Sequence, residues 1–174
     1  MRSTLESITN CRDRYPDAKF VAPEDLCLLG TPLSRKALDP ELQARLDVFR
    51  STCSRLETLD HHDALFLLKN VFHIPKLLYL LRTSPCHSSP IMRDFDDCMR
   101  STLESITNCR LDDSAFQQAT LPIKFGGLGV RSTVDISLPA YIASCIKTTD
   151  TVKELLPSGC VEAFSSDLSD AVQK

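Results

Sequence analysis

Apolar positions are densest and most cleanly punctuated between residues 59 and 85, LDHHDALFLLKNVFHIPKLLYLLRTSP, and the pattern predicts two helices with a proline joint. Asp60 suits an N-cap, Asp63 sits near the positive end of the dipole, and Leu65, Leu68 and Phe72 recur at helical spacing. Inside a continuous helix Pro75 would cost about 3 kcal/mol, whereas at the first position of a new helix its missing N–H is harmless. Residues 76 to 83 are therefore expected to start afresh and to end at Ser84 and Pro85. Upstream, Asp39, Pro40 and Glu41 form a strong helix start, and the helix is expected to run to about Thr58. Along it Leu42, Leu46, Phe49, Cys53 and Leu56 step by fours and threes, the pattern of helices packing nearly antiparallel at a shallow angle. The expected partner is the helix from Asp60, with Leu46, Phe49, Leu65 and Leu68 at the contact. Arg45, Asp47, Arg50, Ser54 and Arg55 fall outside this stripe and are expected on a solvated face.

Further along, Phe95, Cys98, Met99, Leu103 and Ile106 make one apolar stripe on a helix expected over residues 94 to 108. Residues 111 to 120 predict a short helix or turn entered at Asp112 or Asp113. Ser132 or Thr133 then caps a helix toward Lys147 that Ala140, Ile142 and Ala143 keep apolar, with a kink or restart near Ser137 because of Pro139. Near the N-terminus Phe20, Val21, Leu26, Leu28 and Leu29 flank Pro23, Glu24 and Asp25, which suggests two short strands joined by a turn and ended by Gly30 and Pro32. An irregular loop tucked against helices is the alternative. The fold class expected is mainly α: a bundle of about five helices with a short N-terminal β-hairpin. Residues 20 to 147 form its body, residues 1 to 19 are expected to be poorly ordered, and residues 148 to 174 form a polar tail with short helices.

MRSTLESITNCR at the N-terminus recurs unchanged from Met99 to Arg110, so part of the sequence has been duplicated. Two unequal copies of one short piece do not make a stacked repeat architecture. Only the second copy has the preceding turn with Phe95, so it is expected to be well docked and the first displaced.

A chain of 174 residues is long enough for one main core. No uninterrupted apolar run approaches the roughly 18 residues of a membrane span, so none is expected to cross a membrane. The first twelve residues lack the apolar core of a secretory signal, which by default places the chain in an intracellular, reducing compartment, nucleus or cytoplasm. The 8 cysteines are scattered singly without a C-x-x-C pair, so no structural metal site is expected, and most are read as small buried hydrophobes. His61 and His62 face different directions in one helical turn, and Cys86 beside His87 lacks a third group. No catalytic residue and no cofactor are expected. The net charge of -3 is the reverse of what a free-standing nucleic-acid binder usually carries.

Charge placement qualifies that. No acidic residue occurs from residue 64 to 92, where Lys69, Lys76 and Arg82 lie, nor from 114 to 134, which holds Lys124 and Arg131. His73 and His87 stand beside the first set. A surface facing phosphate needs such carboxylate-free basic segments. The second segment also holds Gly126, Gly127 and Gly129 in LPIKFGGLGVRS, which imply positive φ or close backbone approach. The spacing fits neither a Walker loop nor a dinucleotide fingerprint, so a structural turn is preferred to a phosphate cradle.

LLGTPL (residues 28 to 33), DALFLLKNVFHIPKLLYLLRTSPC (63 to 86) and ATLPIKFGGLGVRSTVDISLPAYIAS (119 to 144) together resemble, in order and spacing, the reverse transcriptases of non-LTR, LINE-type retrotransposons. They are similar to the part of that polymerase beyond its catalytic motifs. The resemblance implies the end of the palm and a thumb: Leu29 and Gly30 at the primer grip, and Lys69, Lys76 and Arg82 on helices that hold the template–primer duplex. It also implies a fragment without catalysis, because the metal-binding palm aspartates have no counterpart and Asp96-Asp97 does not replace them. The partners it implies are an RNA/DNA duplex and the missing palm; the net charge of -3 against a few basic residues makes any such binding weak and insensitive to sequence. The alternative is a helical module that binds a partner protein through exposed apolar surface.

Overall fold

The computed structural model describes Ala22 and residues 26 to 155. It opens on a minimal hairpin in which β1 (Cys27–Leu28) pairs antiparallel with β2 (Thr31–Pro32), Cys27 opposite Pro32 and Leu28 opposite Thr31. Leu29 and Gly30 make the turn with φ of 51° and 79°, the paired positive φ that suits right-twisted strands. The hairpin therefore lies further along than expected: Cys27 and Leu28 supply its first strand, Leu29 and Gly30 the turn, and Thr31–Pro32 is the returning strand. Glycine at residue 30 allows this two-residue reversal. Phe20, Val21 and residues 23 to 25 lie outside the described residues, as do residues 1 to 19 and the tail beyond Leu155.

Helix α1 (Arg35–Leu56) starts before the expected Asp39-Pro40 because Ser34 takes the cap, accepting the Lys36 N–H at 3.2 Å. Pro40 thus lies inside the helix, where it removes one bond near the end. Asp39 is free for a tertiary role and accepts the Ser89 hydroxyl at 2.6 Å. Leu42, Leu46, Phe49, Cys53 and Leu56 are all buried, as the stripe requires.

The central stretch forms one bent rod: α2 (His61–Leu67), a π-helical turn (Leu68–Phe72) and α3 (Ile74–Thr83), broken at His73 and carrying Pro75 in the first turn of α3. The restart comes two residues before the expected Lys76. Asp60 occupies the N-cap position but its side chain makes no capping bond. By length and composition the rod is apolar enough to span a membrane, yet it is broken at His73 and buries Leu68, Ile74, Leu77, Leu80 and Leu81 in the protein core.

Helix α4 (Ile91–Thr107) stops at Asn108, which adopts the left-handed conformation. It buries Phe95, Met99, Leu103 and Ile106, so the second copy of the duplicated segment is a core element. Helix α4, and not α2, is the chief partner of α1. The Phe49 and Phe95 rings lie 5.9 Å apart, while α1 meets the rod mainly at the π-helical turn and at His73, 5.2 Å from Phe49. Of the expected contact with the helix from Asp60, the Leu68 end forms through the π-helical turn, whereas α2 itself is only 7 residues long and packs on α4, which leaves Leu65 half-buried. Helix α5 (Asp113–Thr120) is capped by Asp112, which accepts the Ala115 N–H at 2.7 Å. Helix α6 (Thr133–Leu155) is a single helix through Pro139, without the expected restart, and continues past Lys147. It lies across α3 and α4. The arrangement is the mainly α bundle with a short hairpin that the sequence pattern calls for.

Candidate nucleic-acid interface

Between α5 and α6 the chain makes a 3-10 turn (Ile123–Phe125) and then folds back on α5. Gly126 and Gly129 have φ of 81° and 71°. A Cβ on Gly127 would collide with the carbonyl oxygens of Leu121 and Gln118, and one on Gly129 would lie 2.7 Å from Lys69 Nζ. The loop amides point inward: Gly126 N–H donates to the Ile123 carbonyl, Gly127 to Pro122, Leu128 to Ala119 and Gly129 to Leu121. A phosphate cradle needs those N–H groups turned outward. The three glycines serve a tight turn instead.

That turn delivers Arg131 to the π-helical turn of the rod. Lys69, Asn70, Ile74, Leu78, Gly129 and Arg131 line a cleft of about 250 Å³, and no carboxylate is among its lining residues. Lys69 donates to the Leu128 carbonyl at 3.0 Å, so it both closes the loop and leaves its charge at the cleft. Arg131 is exposed. Lys124, on the same loop, rests over the Phe125 ring at 4.7 Å. Arg82 follows Pro75 and Leu78 at helical spacing and continues their row along α3, also exposed.

Lys76 belongs elsewhere. It lines a separate cleft of about 490 Å³ with Arg45, Glu41, Phe49, Phe72 and Phe95. Arg45 joins this cleft to the hairpin: Nε donates to Glu41 at 2.8 Å, Nη2 to the Gly30 carbonyl at 2.9 Å and Nη1 to the Lys76 carbonyl at 3.4 Å. Leu29 and Gly30 are thus grouped with Lys76, while Lys69 and Arg131 line the other cleft. The expected single basic set is split in two.

His73 adds no charge to either. It is 1% exposed, its Nε2 is 2.9 Å from Thr133 Oγ1, and burial pulls its pKa down to about 3. It supports the cleft wall as a neutral ring.

Two important side chains escaped sequence reasoning. Arg45 looked like solvated-face arginine, because nothing local to α1 shows that the Gly30 and Lys76 carbonyls come within its reach. Asp96 caps α6 from another helix: Oδ1 accepts the Thr133 N–H at 2.6 Å, and Oδ2 accepts the Ser132 hydroxyl at 2.6 Å. The Ser and Thr ahead of α6 signalled a cap, but not the distant carboxylate that completes it.

Other candidate chemistry stays dispersed. His61 and His62 are exposed, and Cys86 is fully buried, with its thiol directed at the Leu80 carbonyl and its pKa pushed up to about 12 by burial. Among the described residues no group of three or more His, Cys, Asp or Glu side chains is placed to hold a metal ion. No protein-family model matches the chain, and no curated protein or solved structure matches it.

Proposed function

We propose that this chain is a non-catalytic, thumb-like module that holds an RNA/DNA duplex by its phosphate backbone along the Lys69–Arg131 cleft. The observation that carries the reading is the convergence of these two cations in a cleft lined by no carboxylate; the exposed Lys124, on the same loop as Arg131, and Arg82, on the same helix as Leu78, supply the further phosphate contacts of this reading. The ordered resemblance to the post-catalytic part of non-LTR reverse transcriptases supports the same role. Backbone contacts position a duplex and carry no sequence information, and the net charge of -3 opposes approach of a polyanion. Binding is therefore weak, indifferent to sequence and lost on adding salt, with an affinity of roughly 10–100 µM at physiological salt. Fluorescence anisotropy with two labelled RNA/DNA duplexes of unrelated sequence tests it. Similar affinities that fall together with salt support the reading, and strong preference for one sequence contradicts it.

A specific observation favours a second reading. Leu28, Leu29 and Leu33 are 59%, 82% and 58% exposed on the hairpin that Arg45 anchors. A non-glycine residue in the left-handed conformation costs about 1–2 kcal/mol. Such a tip suits docking of a partner protein, such as a palm domain supplied by another chain. Leu29→Asp separates the two roles: it should abolish docking of a palm and leave duplex affinity unchanged.

A further inference from the structure

Helices α1 and α4 touch through Phe49 and Phe95 and, one turn further along both, through Cys53 and Cys98. Cys53 is 4% exposed and Cys98 is half-buried, so a small molecule reaches Cys98 first. The two sulfurs are 3.9 Å apart, with the Cys98 thiol directed at Cys53 Sγ. Both are free thiols. We infer that Cys53 and Cys98 are a reversible redox pair, closed by a low-molecular-weight disulfide into a covalent link between α1 and α4.

The electrostatics assign each sulfur a part. The contact with Cys53 lowers the pKa of Cys98 against the opposing effect of burial, helped by the positive charge of Arg50, so the more accessible sulfur is the readier thiolate. The same contact, with burial, raises the pKa of Cys53. Cys98 loses its proton and attacks one sulfur of the small disulfide, forming a mixed disulfide and expelling a thiolate that takes up that proton. Cys53 then loses its proton and attacks Cys98 Sγ, expelling the second small thiolate, which is protonated in turn. Two protein thiols are oxidised to one disulfide, and one small disulfide is reduced to two thiols.

An S–S bond of about 2.05 Å requires the sulfurs to close by roughly 2 Å, within the scope of side-chain rotation. The link spans 45 residues of sequence and encloses the whole central rod. Joining its ends restricts the unfolded chain, so the oxidised form is the more resistant to unfolding.

The full chain is incubated with oxidised glutathione, quenched in acid, alkylated and digested without reduction for peptide mass mapping. The expected product is a Cys53–Cys98 linked peptide that forms in the folded protein, is suppressed in concentrated urea and disappears on adding excess reduced glutathione. The urea midpoint should rise on oxidation in the unaltered chain and stay fixed in Cys98→Ser. A Cys98 that accumulates as a glutathione adduct while Cys53 remains alkylatable overturns the inference, as does equal linkage in folded and denatured protein. Mapping uses the unaltered chain, so it decides the matter whether or not the variant folds.

Discussion

Asp96, in the first turns of α4, accepts the backbone N–H of Thr133 at 2.6 Å and so caps the first turn of α6 from a different helix. With Ser132 and the Thr133–His73 contact, it fixes where α6 begins, and the loop before α6 carries Arg131 to the cleft. The position of the candidate interface thus depends on a polar cluster that backs the cleft wall through His73 and adds no basic charge of its own.

Replacing Asp96 by Ala removes a charged acceptor from two short hydrogen bonds, so the expected cost is about 1–3 kcal/mol in urea titration. Asp97→Ala is the control: its side chain is exposed, and the change should stay within about 0.5 kcal/mol. Equal effects at the two positions would contradict the capping role.

His73 makes stability depend on pH with a definite sign. Burial lowers its pKa from 6.5 to about 3, so in that interval the unfolded chain binds a proton that the native chain excludes. Stability is intact above pH 6.5 and declines as the pH falls toward 3, by about 1.4 kcal/mol per unit. Between pH 6.5 and 5, above the range where most carboxylates titrate, His73 should account for a loss of roughly 2 kcal/mol that His73→Gln abolishes. The measurement is the urea midpoint of both proteins across that window.

The glycines predict contrasting behaviour. Gly127→Ala places a methyl group against two backbone carbonyls and should cost several kcal/mol, of order 3 or more, because backbone must move. Gly30→Ala makes only an ordinary contact, its nearest neighbour being the Arg45 guanidinium at 3.9 Å, and is penalised by its φ of 79° alone, about 1 kcal/mol. Thermal unfolding of the two variants should rank them in that order.

These residues show what the sequence made legible. The core stripe of α1 and the proline joint of the rod follow from periodicity and from the chemistry of one residue, so both could be read locally. The pairing of α1 with α4 could not, because Leu42 to Leu56 presents the same face to any apolar helix. The hairpin was misplaced because Leu29 in a left-handed turn defies its own propensity, and only Gly30 and the Arg45 bond make that conformation tenable. The split of the basic residues depends on where a distant loop crosses the rod. Nothing in the spacing of Lys69 and Lys76 tells which cleft each will line.

The duplex-holding cleft is tested most directly by the salt dependence of binding. Log affinity for a labelled RNA/DNA duplex is plotted against log salt for the unaltered chain, for the combined Arg82→Ala, Lys124→Ala, Arg131→Ala variant, and for Lys76→Ala. At about 0.9 per phosphate contact, four cations should give the unaltered chain a slope of about -3 to -4, the combined variant, which keeps Lys69, a slope of about -1, and Lys76→Ala no change because it lines the other cleft. No binding even at low salt, or a slope that the combined variant leaves unchanged, would contradict the account.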